Sequence, residues 1–221
     1  MIVIGVTGSF GTGKTFVSKI LGSYGADVID ADAAAHVVLR KGTRQYAAVV
    51  SRFGERILDG KREIDRNVVA RIVFGDVRSL RRLSEIVHPP VIRAIRQCIA
   101  RAAHNRSRRA VVIDAPLLFE TGLDSLADIR IVVTASLRTQ VGRCRRKFGL
   151  SKKEVLARIH SQMSLGEKAG LADVVIDNNR KRSYTRRQVR ELWEILMDKR
   201  KDCCCPEGIR KKNRERKRSR G

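Results

Sequence analysis

The stretch 5-GVTGSFGTGKTFVSK-19 decides how this chain is to be read. Within it, Gly8-Ser9-Phe10-Gly11-Thr12-Gly13-Lys14-Thr15 satisfies G-x-x-x-x-G-K-[ST] in full. The context is also the required one. The apolar run 2-IVIGV-6 precedes it as a strand, and a helical pattern from about Lys14 to Tyr24, closed by Gly25, follows. Glycines at these positions let backbone N–H groups turn inward around phosphate oxygens, and the helix N-terminus adds partial positive charge. Gly8, Gly11, Thr12, Gly13, Lys14 and Thr15 are therefore expected to cradle a nucleoside triphosphate. Lys14 would reach the β- and γ-phosphates, and the Thr15 hydroxyl would take a place on Mg²⁺.

Outward from this loop, further Val- and Ile-rich runs read as buried parallel strands: 27–29, 110–114, 129–134 and 173–176. Five such strands alternating with helical patterns predict a three-layer α/β fold around a five-stranded parallel sheet. Two helical insertions interrupt it. Residues 33–108 are too long for a loop, and residues 137–170 are dense in Arg and Lys. The core would then comprise residues 1–32, 109–136 and 171–198, with a basic tail at 199–221 that should be disordered. Pro89 and Pro90 are expected to break any helix running through the first insertion.

The phosphate loop fixes a nucleotide, not a reaction. No Asn-Lys-x-Asp follows a late strand, so guanine selection is not indicated. A motor or transporter would need more chain than 221 residues. A core with one lobe for an acceptor and one Arg-bearing lid suits a small kinase. The net charge of +24 points to anionic partners; the 11 Lys/Arg against 3 Asp/Glu from Lys199 onward account for +8, leaving +16 in the body. Cys98 and Cys144 are isolated, while Cys203, Cys204 and Cys205 are consecutive, a poor framework for disulfides and one without a second ligand pair for zinc. No apolar run reaches the ~18–20 residues of a membrane helix. The chain opens on a strand pattern without a basic leader, and a cytoplasmic location is expected.

The acceptor must be sought in 28-VIDADAAAH-36. Asp30 and Asp32 follow the second strand, at the carboxyl-end crevice where such sheets bind ligands. Read as extended chain, the two carboxylates share one side, where one could orient an attacking hydroxyl and the other brace the metal. The other reading has Asp30 capping the next helix and Asp32 solvated.

The order of motifs resembles the dephospho-CoA kinase family. After VTGSFGTGKT and 30-DADAAAH-36 come 59-DGKREIDR-66, His88-Pro89, 113-IDAPLLFE-120, Gln140-x-x-Arg143, 158-RIHSQM-163 and 172-ADVVIDN-178, spanning residues 2 to about 179. The resemblance implies transfer of the ATP γ-phosphoryl group to the 3′-hydroxyl of dephospho-CoA, with Mg²⁺. It makes Asp32 the base for that hydroxyl, Lys14 and Thr15 the phosphate and magnesium contacts, and Asp114 a carboxylate that binds the metal directly or through water. It further assigns 33–108 to acceptor binding and 137–170 to a lid, with Arg143 or its neighbours Arg145 and Arg146 on the phosphates, and Asn178 beside the nucleotide.

Three places depart from the family pattern. Phe16 stands where the family has Thr, which leaves only its backbone N–H for phosphate; Lys147-Phe148 replaces Arg-Asp; and a basic run follows Asn178. His36 and His88 are expected to be structural, and Trp193 to pack the last helix at about 184–199. Two readings of the 199–221 tail stand side by side, a solubilising extension and attachment to nucleic acid or an anionic surface. The rival functions are a kinase for nucleosides or nucleotides and an ATP-switched nucleic-acid-binding protein.

Overall fold

The first strand, β1 (Ile2–Thr7), buries five of its six residues, as a strand covered on both faces must. In the computed structural model, which describes residues 1–105 and 109–198, it is the centre of a five-stranded sheet. The order is β2-β3-β1-β4-β5, formed by β2 (Asp27–Asp30), β3 (Ala110–Asp114), β4 (Ile129–Thr134) and β5 (Val174–Asp177). Every pairing is parallel. The expected α/β sheet is present, with strand limits within a residue or so of those read from the apolar runs.

Alternation along the strands sends side chains to two cores. Ile4, Val6, Val112, Ile131, Val133 and Ile176 pack under α1 (Lys14–Ser23), Val17 and Leu21 among its contacts. A long C-terminal helix, Arg182–Asp198, closes that side with Val189 and Leu196; Trp193 packs against the same core, as expected. On the opposite face Val3, Ile113, Ala115 and Leu118 meet α2 (Ala31–Val38) and the second half of a helix spanning Val77–His104. Each fully buried aliphatic side chain contributes about 1.5–3 kcal/mol, so the two faces hold the sheet between helical layers.

Among the described residues, the elements between β2 and β3 are helical apart from an isolated antiparallel bridge between Leu58 and Ile64: α2, then α3 (Arg44–Phe53), a 3-10 turn at Glu55–Ile57, α4 (Arg66–Gly75) and α5 (Val77–His104). Its own small core joins Val49, Phe53, Ile57, Val69 and Val73 to Leu80, Leu83 and Ile86 of α5. Here the proline expectation fails. The α5 helix passes through Pro89 and Pro90 without ending. Its first half is fixed in the peripheral core and its second, through Val91 and Ile95, against the sheet, with Val87 touching both. Tertiary packing on both sides of the prolines outweighs their lost hydrogen bonds.

Between β4 and β5 lie α6 (Leu137–Phe148), α7 (Lys152–His160) and α8 (Leu165–Leu171), the latter two opened by Ser-x-x-Glu capping boxes. The C-terminal helix, α9 (Arg182–Asp198), completes the described chain. The 199–221 tail, with Cys203, Cys204 and Cys205, lies outside the described residues. No helix among the described residues is long and apolar enough to cross a membrane.

Candidate active site

The loop from Gly8 to Gly13 turns between β1 and α1 with Gly11 at φ 83° and Gly13 at φ 92°, backbone that side chains rarely adopt. Space forbids side chains there too. A Cβ on Gly8 would lie 2.6 Å from both the Val133 carbonyl and Thr12 Oγ1, and one on Gly13 would strike the Asn178 amide. Thr12 is fully buried, and its hydroxyl folds back on the Ser9 carbonyl at 2.9 Å. Its contribution to a ligand is therefore backbone geometry.

Two residues from distant elements hold that geometry. Arg143 of α6 donates from Nη1 to the Thr12 carbonyl (3.1 Å) and from Nη2 to the Asn178 carbonyl (2.7 Å). Asn178, just past β5, donates from Nδ2 to the same Thr12 carbonyl at 2.7 Å while its Oδ1 accepts from Thr185 Oγ1 at 2.8 Å. A carbonyl so satisfied does not confront an incoming anion. Arg143 and Asn178 are thus brought to the loop, but as its braces. Arg145 and Arg146 are exposed along the same helix. The Phe16 N–H, expected to serve phosphate, donates to the Gly13 carbonyl at 3.0 Å.

Lys14 reaches across to Asp114, the last residue of β3, at 2.7 Å, and the carboxylate is nearly inaccessible. The strand register sets Asp114 beside Val6 on one side and Asp30 on the other. Asp30 ends β2 and caps α2, its Oδ1 accepting from the N–H groups of Asp32 (2.8 Å) and Ala33 (3.1 Å). The extended reading of Asp-Ala-Asp is thereby corrected: Asp32 lies in the first turn of α2, where a strand's two-residue period does not apply. The capping reading holds for Asp30. Asp32 is exposed at the surface, yet the atoms packed around its carboxyl desolvate it and push it above the usual carboxylate range. Lys14 opposes that rise, Asp30 and Asp114 add to it, and His36 opposes it.

Sequence reasoning missed two charged residues here. Arg66, at the start of α4, lies in electrostatic reach of Asp32 and His36; burial lowers its pKa and Asp32 raises it. The signal was present, since Arg66 ends the quoted 59-DGKREIDR-66. Lys168 of α8 is fully buried, donating to the Pro116 carbonyl at 2.6 Å and pairing with Glu120 at 2.9 Å. It pins the segment after Asp114 to the helices between β4 and β5. Among the nine Lys and Arg residues of 137–170 nothing in the sequence marks it. His88 is half-buried and shifted only by desolvation, which lowers its pKa.

Whether this site suits Mg²⁺ is a matter of donors. The Thr15 hydroxyl at the head of α1 and the Asp114 carboxylate are hard oxygens, and no cluster of three or more His, Cys, Asp or Glu suited to a metal occurs among the described residues. A Mg²⁺ held by one or two carboxylates, water and substrate phosphate needs no such cluster. The residues fit the ion.

The profile of the dephospho-CoA kinase family matches residues 2–183. The chain belongs to that family. A dephospho-CoA kinase from Thermobifida fusca is 38% identical over 196 residues, covering 89% of this chain and 96% of its own. One from Symbiobacterium thermophilum is 42% identical over 193 residues, 87% of this chain and 80% of its own. Among solved structures, a Thermus thermophilus protein superposes with TM-score 0.74 at 32% identity, covering 89% of this chain and 97% of the other. Dephospho-CoA kinase from Campylobacter jejuni does so with TM-score 0.61 at 27% identity, covering 87% and 95%. The family match thus includes the phosphate loop, its braces Arg143 and Asn178, and both strand-end aspartates. It stops at Ser183, the second residue of α9, and so includes Arg182 but not Arg186 or Arg187.

Proposed function

We propose that the chain transfers the γ-phosphoryl group of ATP to the 3′-hydroxyl of dephospho-CoA, yielding coenzyme A and ADP. The observation that carries this reading is the meeting of Asp32 with Lys14 and Asp114 at the mouth of the phosphate loop, in a chain matched to the family over 2–183.

Glycine-loop N–H groups bind the triphosphate, and Lys14 moves its ammonium from Asp114 onto the β- and γ-phosphates. Thr15 and Asp114 would hold Mg²⁺, which neutralises phosphate charge when bound. Asp32 accepts the proton of the ribose hydroxyl as its oxygen bonds to the γ-phosphorus and the bond to the β-phosphate oxygen breaks. Its raised pKa makes it a better base than an ordinary carboxylate. Arg66 and His36 flank the acceptor side. Arg143 and Asn178 act through the loop they brace.

On this reading the helices of 33–108 form the acceptor lobe, those of 137–170 the lid, and the enzyme works in the cytoplasm. The test is an ATP-dependent assay with dephospho-CoA beside nucleosides and nucleoside monophosphates. The expected result is a single product phosphorylated at the 3′ position by NMR; phosphorylation of the nucleosides or monophosphates instead would overturn the reading.

A further inference from the structure

Phe16 occupies the first turn of α1, directly after the phosphate-binding Lys14 and Thr15. Its ring offers no hydrogen bond, and its N–H is engaged with Gly13. Two guanidinium groups from α9 lie over it, Arg182 with its Cζ 5.5 Å from the ring centroid and Arg186 at 5.9 Å. The next aromatic along is used the same way: Arg180 at 4.8 Å and Arg187 at 5.3 Å flank Tyr184. An aromatic face holds a guanidinium by cation–π attraction while leaving its in-plane N–H donors free.

Among the described residues, the Phe16 pair differs from its neighbours on α9 in having no counter-charge. Arg187 and Arg190 meet Glu191 and Glu194, one turn on. Among the described residues neither Arg182 nor Arg186 pairs with a carboxylate, although both are exposed. Arg182 is also near enough to Arg143 to repel it. Burial first, then Arg146 and Arg182, lower the Arg143 pKa. Arg143 itself touches the loop carbonyl of Thr12. Like charges gathered this closely beside a phosphate loop cost free energy that a bound polyanion offsets.

We infer that Arg182 and Arg186, seated on Phe16, are binding residues for the phosphates of the donor nucleotide, supplying from α9 the side-chain contacts that position 16 cannot make. The inference rests on the nucleotide half of the function proposed above and is independent of the acceptor. Of the two arginines, Arg182 lies inside the family match and Arg186 lies beyond its end at residue 183.

The experiment compares the full chain with Arg182→Gln/Arg186→Gln and Arg182→Lys/Arg186→Lys, titrating ATP, ADP and adenosine by calorimetry and checking each fold by circular dichroism. Losing two charge-assisted contacts should weaken ATP about tenfold or more. Adenosine should bind as to wild type, and the Lys pair should recover most of the loss. ATP affinity within twofold of wild type in a folded Gln variant overturns the inference, as does an equal loss for adenosine. Wild-type turnover of dephospho-CoA, measured in parallel, decides the proposed function separately.

Discussion

The buried pair of Lys168 and Glu120 gives an asymmetric prediction, because its two halves differ in access to water. Lys168 has no exposed side-chain surface, whereas Glu120 retains 21%. In Glu120→Ala the ammonium stays buried with the Pro116 carbonyl alone for a partner. Breaking a buried pair this way costs about 3–5 kcal/mol. Lys168→Met removes the charge itself and refills the space with an unbranched apolar chain. Glu120 then keeps the Met163 N–H at 3.0 Å and its contact with solvent, and the Pro116 carbonyl keeps Thr7 Oγ1 at 3.1 Å. What is lost is about 1–2 kcal/mol of charge-assisted bonding. Guanidinium denaturation at constant m should separate the two variants by roughly 2 kcal/mol, about thirty-fold in the folding equilibrium. The Glu120→Ala midpoint on heating should fall by roughly 10 °C. The double variant should be no less stable than Glu120→Ala, because the stranded charge is gone. A Lys168→Met variant that costs as much as Glu120→Ala would refute the reasoning, since the cost would then reside in packing and not in charge.

Asp32→Asn should lower turnover about 10²–10⁴-fold with ATP affinity kept, and in the wild type the acid limb of the pH–rate profile should lie above the ordinary carboxylate range, because burial raises this group. The same shift fixes a stability sign. A carboxyl whose folded pKa is raised stabilises the fold only while protonated and loses that contribution as pH rises through the folded pKa. Asp32→Asn should therefore be at least as stable as wild type near neutrality by thermal melting. Gly13→Ala should abolish measurable ATP binding in calorimetry and cost about 1–3 kcal/mol in denaturation, since φ is 92° and the added methyl meets Asn178. Asn178→Ala leaves Thr185 Oγ1 without its acceptor and the Thr12 carbonyl with Arg143 alone; the KM for ATP should rise severalfold while that for dephospho-CoA stays unchanged.

What the sequence could and could not reveal follows the range of the interactions concerned. The limits of β3 and β4 agree with the apolar runs at both ends, because a strand buried on two faces is specified by its own residues. The α5 prolines misled because proline's cost is local and its compensation is not: Val87 and Ile95 draw on two separate cores. Asp-Ala-Asp was misplaced by one feature of local geometry, the N-cap at Asp30, which turns the chain into α2 before Asp32. The braces are harder still. Arg143 and Asn178 could be named from their motifs, but their common target, the Thr12 carbonyl, lies 131 and 166 residues away. Nothing in the sequence around either residue points to it.

The strand order sets Asp30, Asp32 and Asp114 on one side of the loop and three arginines on the other, although Arg66 and His36 stand near Asp32 and β5 itself ends in Asp177. The phosphate loop follows β1, the middle strand of β2-β3-β1-β4-β5. To one side, β2 and β3 end in Asp30 and Asp114, and Asp32 follows β2. To the other, β4 and β5 lead into α6 and α9, which carry Arg143, Arg182 and Arg186. On the proposed reading, a phosphoryl group held over the loop has these arginines on the β4–β5 side, where a leaving diphosphate accumulates charge, and carboxylates on the β2–β3 side, where a hydroxyl must lose a proton. Lys14, paired to Asp114 across this divide at 2.7 Å, is the one loop side chain placed to serve both sides. On the proposed reading the direction of transfer, from nucleotide toward Asp32, is set by topology before any ligand contact is considered. Exchanging the sign at either end, as in Asp32→Lys or Arg143→Glu, should cost more turnover than neutralising it.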